Sequence, residues 1–153
     1  MKILLARIPA EGSHYEGSDP ASILELEGEP RVRVEGEVEY HFYAQRVSGE
    51  LVVRGSMEVP VALQCARCAE FFSTTIEVSD FLRAYSAPEE ADSVDVSEEM
   101  REEIVLHLPV FPVCGEACKG LCAQCGANLN EEACRCEKEE KPDPWAALNE
   151  LNL

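Results

Sequence analysis

Eight cysteines carry most of the chemistry this chain could offer, and six of them fall within 23 positions: Cys114, Cys118, Cys122, Cys125, Cys134 and Cys136. The other two form the pair Cys65-Ala66-Arg67-Cys68. Thiolates at such spacing suit zinc, which takes four soft donors in a tetrahedron at about 2.3 Å. Cys122-Ala123-Gln124-Cys125-Gly126 offers two sulfurs from one turn, with glycine releasing the chain after the second. Eight residues separate Cys125 from Cys134, enough to fold back and close a tetrahedron, whereas three separate Cys118 from Cys122. Spacing therefore ranks Cys122, Cys125, Cys134 and Cys136 first. Cys114 and Cys118 are substitutes for one pair or half of a second site, which Cys65 and Cys68 complete if their turn lies close to Cys114. Four thiolates leave no coordination position for water, so such a zinc is structural.

Little else points to catalysis. His14, His41 and His107 are scattered and lie in no nucleophile motif. No phosphate-loop or dinucleotide glycine pattern occurs, and the carboxylates alternate with apolar residues or cluster in polar stretches, as solvated faces do. A redox role for Cys65 and Cys68 would favour a thiol at a helix N-terminus, but the pair falls between predicted strands.

The chain has 153 residues, 46% of them hydrophobic, enough for one core and too few for a large multidomain enzyme. Its net charge of −17, from 13 basic and 30 acidic residues, repels phosphate backbones. If RNA is involved, contact through a protein intermediary is favoured over direct contact. Only four apolar residues, Ile3 to Ala6, precede Arg7, too few for a signal-peptide core or a membrane span. This predicts a cytoplasmic chain without membrane attachment, where thiols serve as metal ligands more readily than as disulfides.

Period-two patterning positions the cysteines. Residues 1–9 read as a strand and 10–20 as a glycine- and proline-marked loop. From Val32 to Ala44 apolar residues occupy the even positions, predicting one long strand. Val47-Ser48-Gly49-Glu50 then turns into a second run with Leu51, Val53, Met57, Val59, Val61 and Leu63 on one face. Gly36 and Gly55 mark a bulge or bend. Phe72, Thr74, Ile76 and Val78 form a third run after the Cys65–Cys68 turn. Residues 86–96 read as an exposed acidic linker. Ser97-Glu98-Glu99 opens a helix with Met100, Ile104, Val105 and Leu108 on one face, and Pro109 ends it. The expected fold is α+β but mostly β: a curled antiparallel meander or barrel-like sheet, one covering helix over 97–108, and a C-terminal zinc-knuckle segment. The division is 1–112 for the β-rich domain, 113–137 for the zinc-binding segment and 138–153 for a tail with a short helix from Pro144.

Several of these blocks together resemble the YceD family, the large ribosomal RNA subunit accumulation proteins. They are Leu63-Gln64-Cys65-Ala66-Arg67-Cys68 before Phe71-Phe72, then Glu103-Ile104 to Leu108-Pro109-Val110, the stretch from Cys118-Lys119-Gly120-Leu121-Cys122 to Gly126-Ala127-Asn128-Leu129-Asn130, and Asp143-Pro144. The resemblance runs from about Leu51 to the end. It implies a non-enzymatic role in 23S ribosomal RNA processing or accumulation and large-subunit assembly in the bacterial cytoplasm. Some relatives lack most of the C-terminal cysteines, which implies a stabilising metal and no shared reaction at it. Trp145 departs from the arginine common in the family after Asp-Pro. The acidic charge combined with this role predicts a basic partner, a ribosomal protein or an assembly factor. The competing readings are a zinc- or thiol-dependent enzyme acting on ribosomal precursors and a zinc-knuckle module binding RNA directly. No oligomeric state is predicted.

Overall fold

The computed structural model describes residues 1–88 and 90–136. The predicted helix from Pro144 and Trp145 lie outside the described residues. Seven strands occur among them: β1 (Lys2–Leu4), β2 (Ser13–Asp19), β3 (Val32–Val34), β4 (Val38–Val47), β5 (Glu50–Gln64), β6 (Phe71–Ser86) and β7 (Ser93–Asp95); one α-helix, α1 (Ser97–His107), follows. All pairings are antiparallel. The meander β4-β5-β6 dominates, as expected, with β2 on the outer edge of β4 and β3 beside the far half of β5. The sheet does not close among the described residues, so the barrel-like alternative does not hold. None of the described helices is long and apolar enough to cross a membrane.

The β4–β5 hairpin turns on two residues, Ser48 (φ 50°) and Gly49 (φ 85°), the positive-φ pair that matches strand twist. Strand β5 buries Leu51, Val53, Met57, Val59, Val61 and Leu63 of the predicted face, with Gly55, on the same face, half-buried. Phe42 and Phe81 stack at 4.9 Å beneath it. Met100 and Ile104 of α1 close the core over β6.

Four expectations need correction. Residues 13–19 are an edge strand and not loop: each pairs with β4, from Ser13↔Ala44 to Asp19↔Val38. An edge strand needs only backbone pairing, so its exposed side chains left no apolar alternation to read. The N-terminal strand stops at Leu4, and Leu5–Arg7 form a 3-10 turn that buries Leu5. The long strand from Val32 is two strands, interrupted opposite Pro60. There the Glu35 N–H donates to the Pro60 carbonyl at 2.9 Å, and a Cβ on Gly36 would lie 2.6 Å from the proline ring. Finally, residues 86–96 are not an exposed linker. Strand β7 pairs with β1, and Ala87, Val94 and Val96 are buried. Ahead of α1, whose N-cap position is Val96, the Asp95 Oδ1 accepts from the Ser97 N–H (3.1 Å) and hydroxyl (2.7 Å).

The bulge predicted at Gly55 exists, and it explains why alternation fades after Val78. Gly55 pairs with Phe81 but Met57 with Val78, so β6 carries an extra residue at Ser79-Asp80. Inward positions on β6 switch there from even (Ile76, Val78) to odd (Phe81).

Candidate metal centre

The β5–β6 connection is a knuckle. Within Cys65-Ala66-Arg67-Cys68 the Cys65 N–H donates to the Glu70 carbonyl (2.8 Å), and the Ala69 N–H donates to the Cys65 carbonyl (2.9 Å) with Ala69 at φ 62°. The same frame recurs at Cys122-Ala123-Gln124-Cys125. The Cys122 N–H donates to the Ala127 carbonyl (2.8 Å), and the Gly126 N–H to the Cys122 carbonyl (2.9 Å) with Gly126 at φ 76°. Two remote segments thus build one motif, one with glycine and the other with alanine at the left-handed position. Because a Cβ there costs about 1 kcal/mol, Ala69→Gly is expected to raise stability by up to about 1 kcal/mol. A urea midpoint below that of the parent chain would show that the turn is not held in this conformation.

Each knuckle gathers a second cysteine pair. Cys114 and Cys118 come to the first, Cys134 and Cys136 to the second, and within each group all sulfurs lie within 4.8 Å of one another. The four cysteines ranked first by spacing therefore converge. Cys114 and Cys118 join Cys65 and Cys68, the arrangement that depended on the turn's lying near Cys114. The segment reaches that turn because the Ala66 N–H donates to the Pro112 carbonyl (2.7 Å) and the Leu121 N–H to the Arg67 carbonyl (3.0 Å). The Arg67 guanidinium donates to the carbonyls of Glu116 (3.1 Å) and Cys118 (3.3 Å). Arg67, Asn130, whose amide reaches the Cys118 sulfur at 3.4 Å, and Asn128, which holds that amide at 2.9 Å, are contributors that spacing rules for ligands overlook; the signal present was their place between or beside the cysteines.

The donor sets fit a tetrahedral thiolate-bound metal ion. Bonds of about 2.3 Å imply sulfur–sulfur edges of about 3.8 Å, and Cys68–Cys114 and Cys65–Cys118 are separated by 3.8 and 3.9 Å. These distances are far from a disulfide bond of about 2.05 Å, and all eight cysteines are free. Burial alone pushes the Cys65 thiol up, but N–H groups of Cys68, Cys114 and Arg67 outweigh it and hold the thiol down to about 6. The N–H groups of Cys125 and Gln124 likewise bring Cys122 down to about 6. Within each group a neighbour moves the other way: Cys114 is pushed up to about 12 by hydrogen bonding to the sulfurs of Cys118 and Cys65, and Cys136 up to about 12, first by Cys125. A divalent cation removes that conflict by letting all four ionise. The knuckle pairs differ in burial: Cys65 and Cys68 are 2% and 3% exposed, with Cys114 exposed and Cys118 intermediate beside them, whereas in the second group Cys125 is exposed and its three partners are intermediate.

Away from the cysteines, an open cleft of about 640 Å³ on the outer sheet face brings together His14, Glu16, His41, Tyr43, Arg54 and Asp80. His14 and Tyr43 pack at 5.1 Å, and His41 lies 3.8 Å from Glu16. His107 instead rests on the Glu103 carbonyl at 2.8 Å. Three strand glutamates also align across this outer face: Glu39 is paired with Glu58 and Glu58 with Glu77, all exposed.

Comparison with known proteins adds sequence kinship. The family model of the large ribosomal RNA subunit accumulation protein YceD matches residues 53–152, well over half of the chain. A chloroplastic YCED homolog 1 of Arabidopsis thaliana is 39% identical over 64 residues, 42% of this chain and 20% of its own. The maize counterpart is 38% identical over 71 residues, covering 46% and 23%. An uncharacterized Mycobacterium tuberculosis protein is 32% identical over 122 residues, covering 70% and 58%. The chain thus spans about a fifth of the chloroplastic relatives and under two thirds of the mycobacterial one. No solved structure matches.

Proposed function

Because the chain belongs to the YceD family, we propose that it is a non-enzymatic factor in 23S ribosomal RNA processing or accumulation and large-subunit assembly, acting through its acidic sheet face on a basic protein partner. That partner is a ribosomal protein or an assembly factor, and 23S ribosomal RNA is reached through it. In this reading both cysteine groups hold structural zinc, and the chain works in the cytoplasm, a reducing compartment where thiolate ligands persist. Four thiolates per ion leave no place for an activated water, in keeping with a factor that is not an enzyme.

The observation that carries the reading is the row Glu39–Glu58–Glu77. Like charges directly opposite on neighbouring strands destabilise a sheet, and here three carboxylates face one another across the meander strands β4, β5 and β6. Three arginines of the sheet are engaged with rings, Arg33 over Phe71 at 3.8 Å, Arg54 over Tyr43 at 5.1 Å and Arg83 over Phe81 at 5.8 Å. With a net charge of −17, such a face repels phosphate and attracts lysine- and arginine-rich surfaces.

The test is capture from cell lysate at low salt by the parent chain and by Glu39→Gln/Glu58→Gln/Glu77→Gln. The parent should retain basic ribosomal proteins or assembly factors that the variant loses. Removing the repulsion should also leave the variant more stable by about 0.2–1 kcal/mol per pair, which separates a lost surface from a lost fold. Capture of none of these proteins by the parent, or equal capture by both chains, contradicts the partner; a steep salt-dependent gel shift with naked 23S fragments would favour direct RNA binding instead.

A further inference from the structure

The loop between Cys125 and Cys134 belongs to the second cysteine group, yet one of its side chains serves the first. Asn130 Nδ2 donates to Cys118 Sγ at 3.4 Å, while its Oδ1 accepts the Lys119 N–H at 2.8 Å. Asn128 holds Asn130 in place: its Oδ1 accepts both the Asn130 N–H (3.1 Å) and Nδ2 (2.9 Å), and its own amide is tied to Glu131 at 3.0 Å. The backbone repeats the link. Leu121 bridges to Asn128, the Leu129 N–H donates to the Gly120 carbonyl (2.9 Å), and Leu121 in turn hangs from Arg67 of the first knuckle.

From this we propose that Asn130 is a positioning residue that couples the two metal sites, so that an ion bound by Cys122, Cys125, Cys134 and Cys136 tightens the grip of Cys65, Cys68, Cys114 and Cys118 on theirs. The inference rests on the reading that both groups hold metal. An ion at the second site pins both ends of the eight-residue loop and with it the asparagine amide. That amide donates to a sulfur which must be a thiolate to bind metal, and a hydrogen bond to a charged acceptor is stronger than one to a neutral thiol. Coupling between sites is reciprocal, so occupancy of the first site favours the second by the same factor. The asparagine acts only through Cys118 and is not itself a ligand.

The experiment titrates the reduced 153-residue chain with Zn²⁺ against a chromophoric chelator. It compares the parent chain, Cys134→Ser/Cys136→Ser, Asn130→Ala, and the triple variant. The first site is expected to weaken on the order of ten-fold in Cys134→Ser/Cys136→Ser and similarly in Asn130→Ala, with little further loss when they are combined. Asn130→Asp, which keeps the acceptor for Lys119 but replaces the donor with a charge beside the thiolate, should weaken the site at least as much as alanine. Asn130 is exposed, so these variants should keep the sheet's circular dichroism. Two ions per chain with an unchanged first site in Cys134→Ser/Cys136→Ser, or with losses that simply add, overturn the coupling and leave the metal reading intact. Fewer than two ions in the parent chain overturn both.

Discussion

With both cysteine groups holding metal as proposed, chelation of the reduced protein is expected to release residues 112–136 from the β5–β6 turn while the sheet stays folded at 25 °C, its melting midpoint lowered on the order of 10 °C. The division follows from where the side chains sit. Cys65 and Cys68 are buried in the β5–β6 turn, but the six cysteines of the C-terminal segment lie outside the hydrophobic core, which is built mainly from the strands, the N-terminal residues, and Met100 and Ile104 of α1. What holds the cysteine segment is sulfur and a few backbone hydrogen bonds, among them Ala66 to Pro112 and Leu121 to Arg67. Limited proteolysis should therefore cut after Pro112 only in the stripped protein, and Cys65→Ser should reproduce much of that pattern with metal present. A single transition in which sheet and segment melt together would contradict the division.

Acid should have the same effect. Without metal, burial of the Cys65 thiol is outweighed by backbone N–H groups, which hold it down to about 6, and such groups bring Cys122 to about 6 as well, below the ordinary 9.0. A thiol whose folded value is depressed contributes stability that is complete above its unfolded value and lost as pH falls through the folded one. Protons also compete with the metal for the sulfurs. Metal release should therefore steepen as pH falls through about 6, read by the same chelator dye.

Gly55→Ala is expected to cost at least about 3 kcal/mol in urea unfolding. A Cβ at residue 55 would lie 2.0 Å from the His41 carbonyl oxygen and 2.9 Å from the Phe42 Cα, both backbone atoms of the paired strand, and φ is 153°. Neither neighbour can move without breaking the β4–β5 ladder. Gly49→Ala offers the comparison: it shares a positive φ of 85°, but a Cβ there meets nothing within 4 Å, so it should cost only about 1 kcal/mol. Equal costs would mean that close approach to β4 is not what selects glycine at 55.

The parts legible in the amino-acid order were those governed by local period or local spacing. The buried face of β5, the extent of α1 and the turn at Ser48-Gly49 follow from alternation, helical repeat and positive-φ chemistry. Convergence of Cys122, Cys125, Cys134 and Cys136 follows from loop length. Strand β2 was illegible because edge pairing is a backbone matter. The break at Gly36 depends on the ring of Pro60, a residue distant in sequence. The partnership of Cys65 and Cys68 with Cys114 and Cys118 spans roughly 50 residues, and only the return of the chain past α1 decides it. Asn130 was hidden for a different reason: a side chain that orients a ligand obeys no ligand spacing.

The contact between Cys68 and Cys114 closes a loop of the chain across a sequence separation of 46 residues, and β6, β7 and α1 all lie inside it. A metal ion there would be a cross-link. By the chain-entropy argument used for disulfides, tying two points that far apart removes freedom from the unfolded chain equivalent to about 4 kcal/mol. While such an ion stayed bound, the second half of the sheet and its covering helix could unfold only as a closed loop, at that added entropic cost. Reductants that cleave a disulfide leave such a tie in place, so a small acidic chain would gain the staple of a secreted protein without needing an oxidising surrounding.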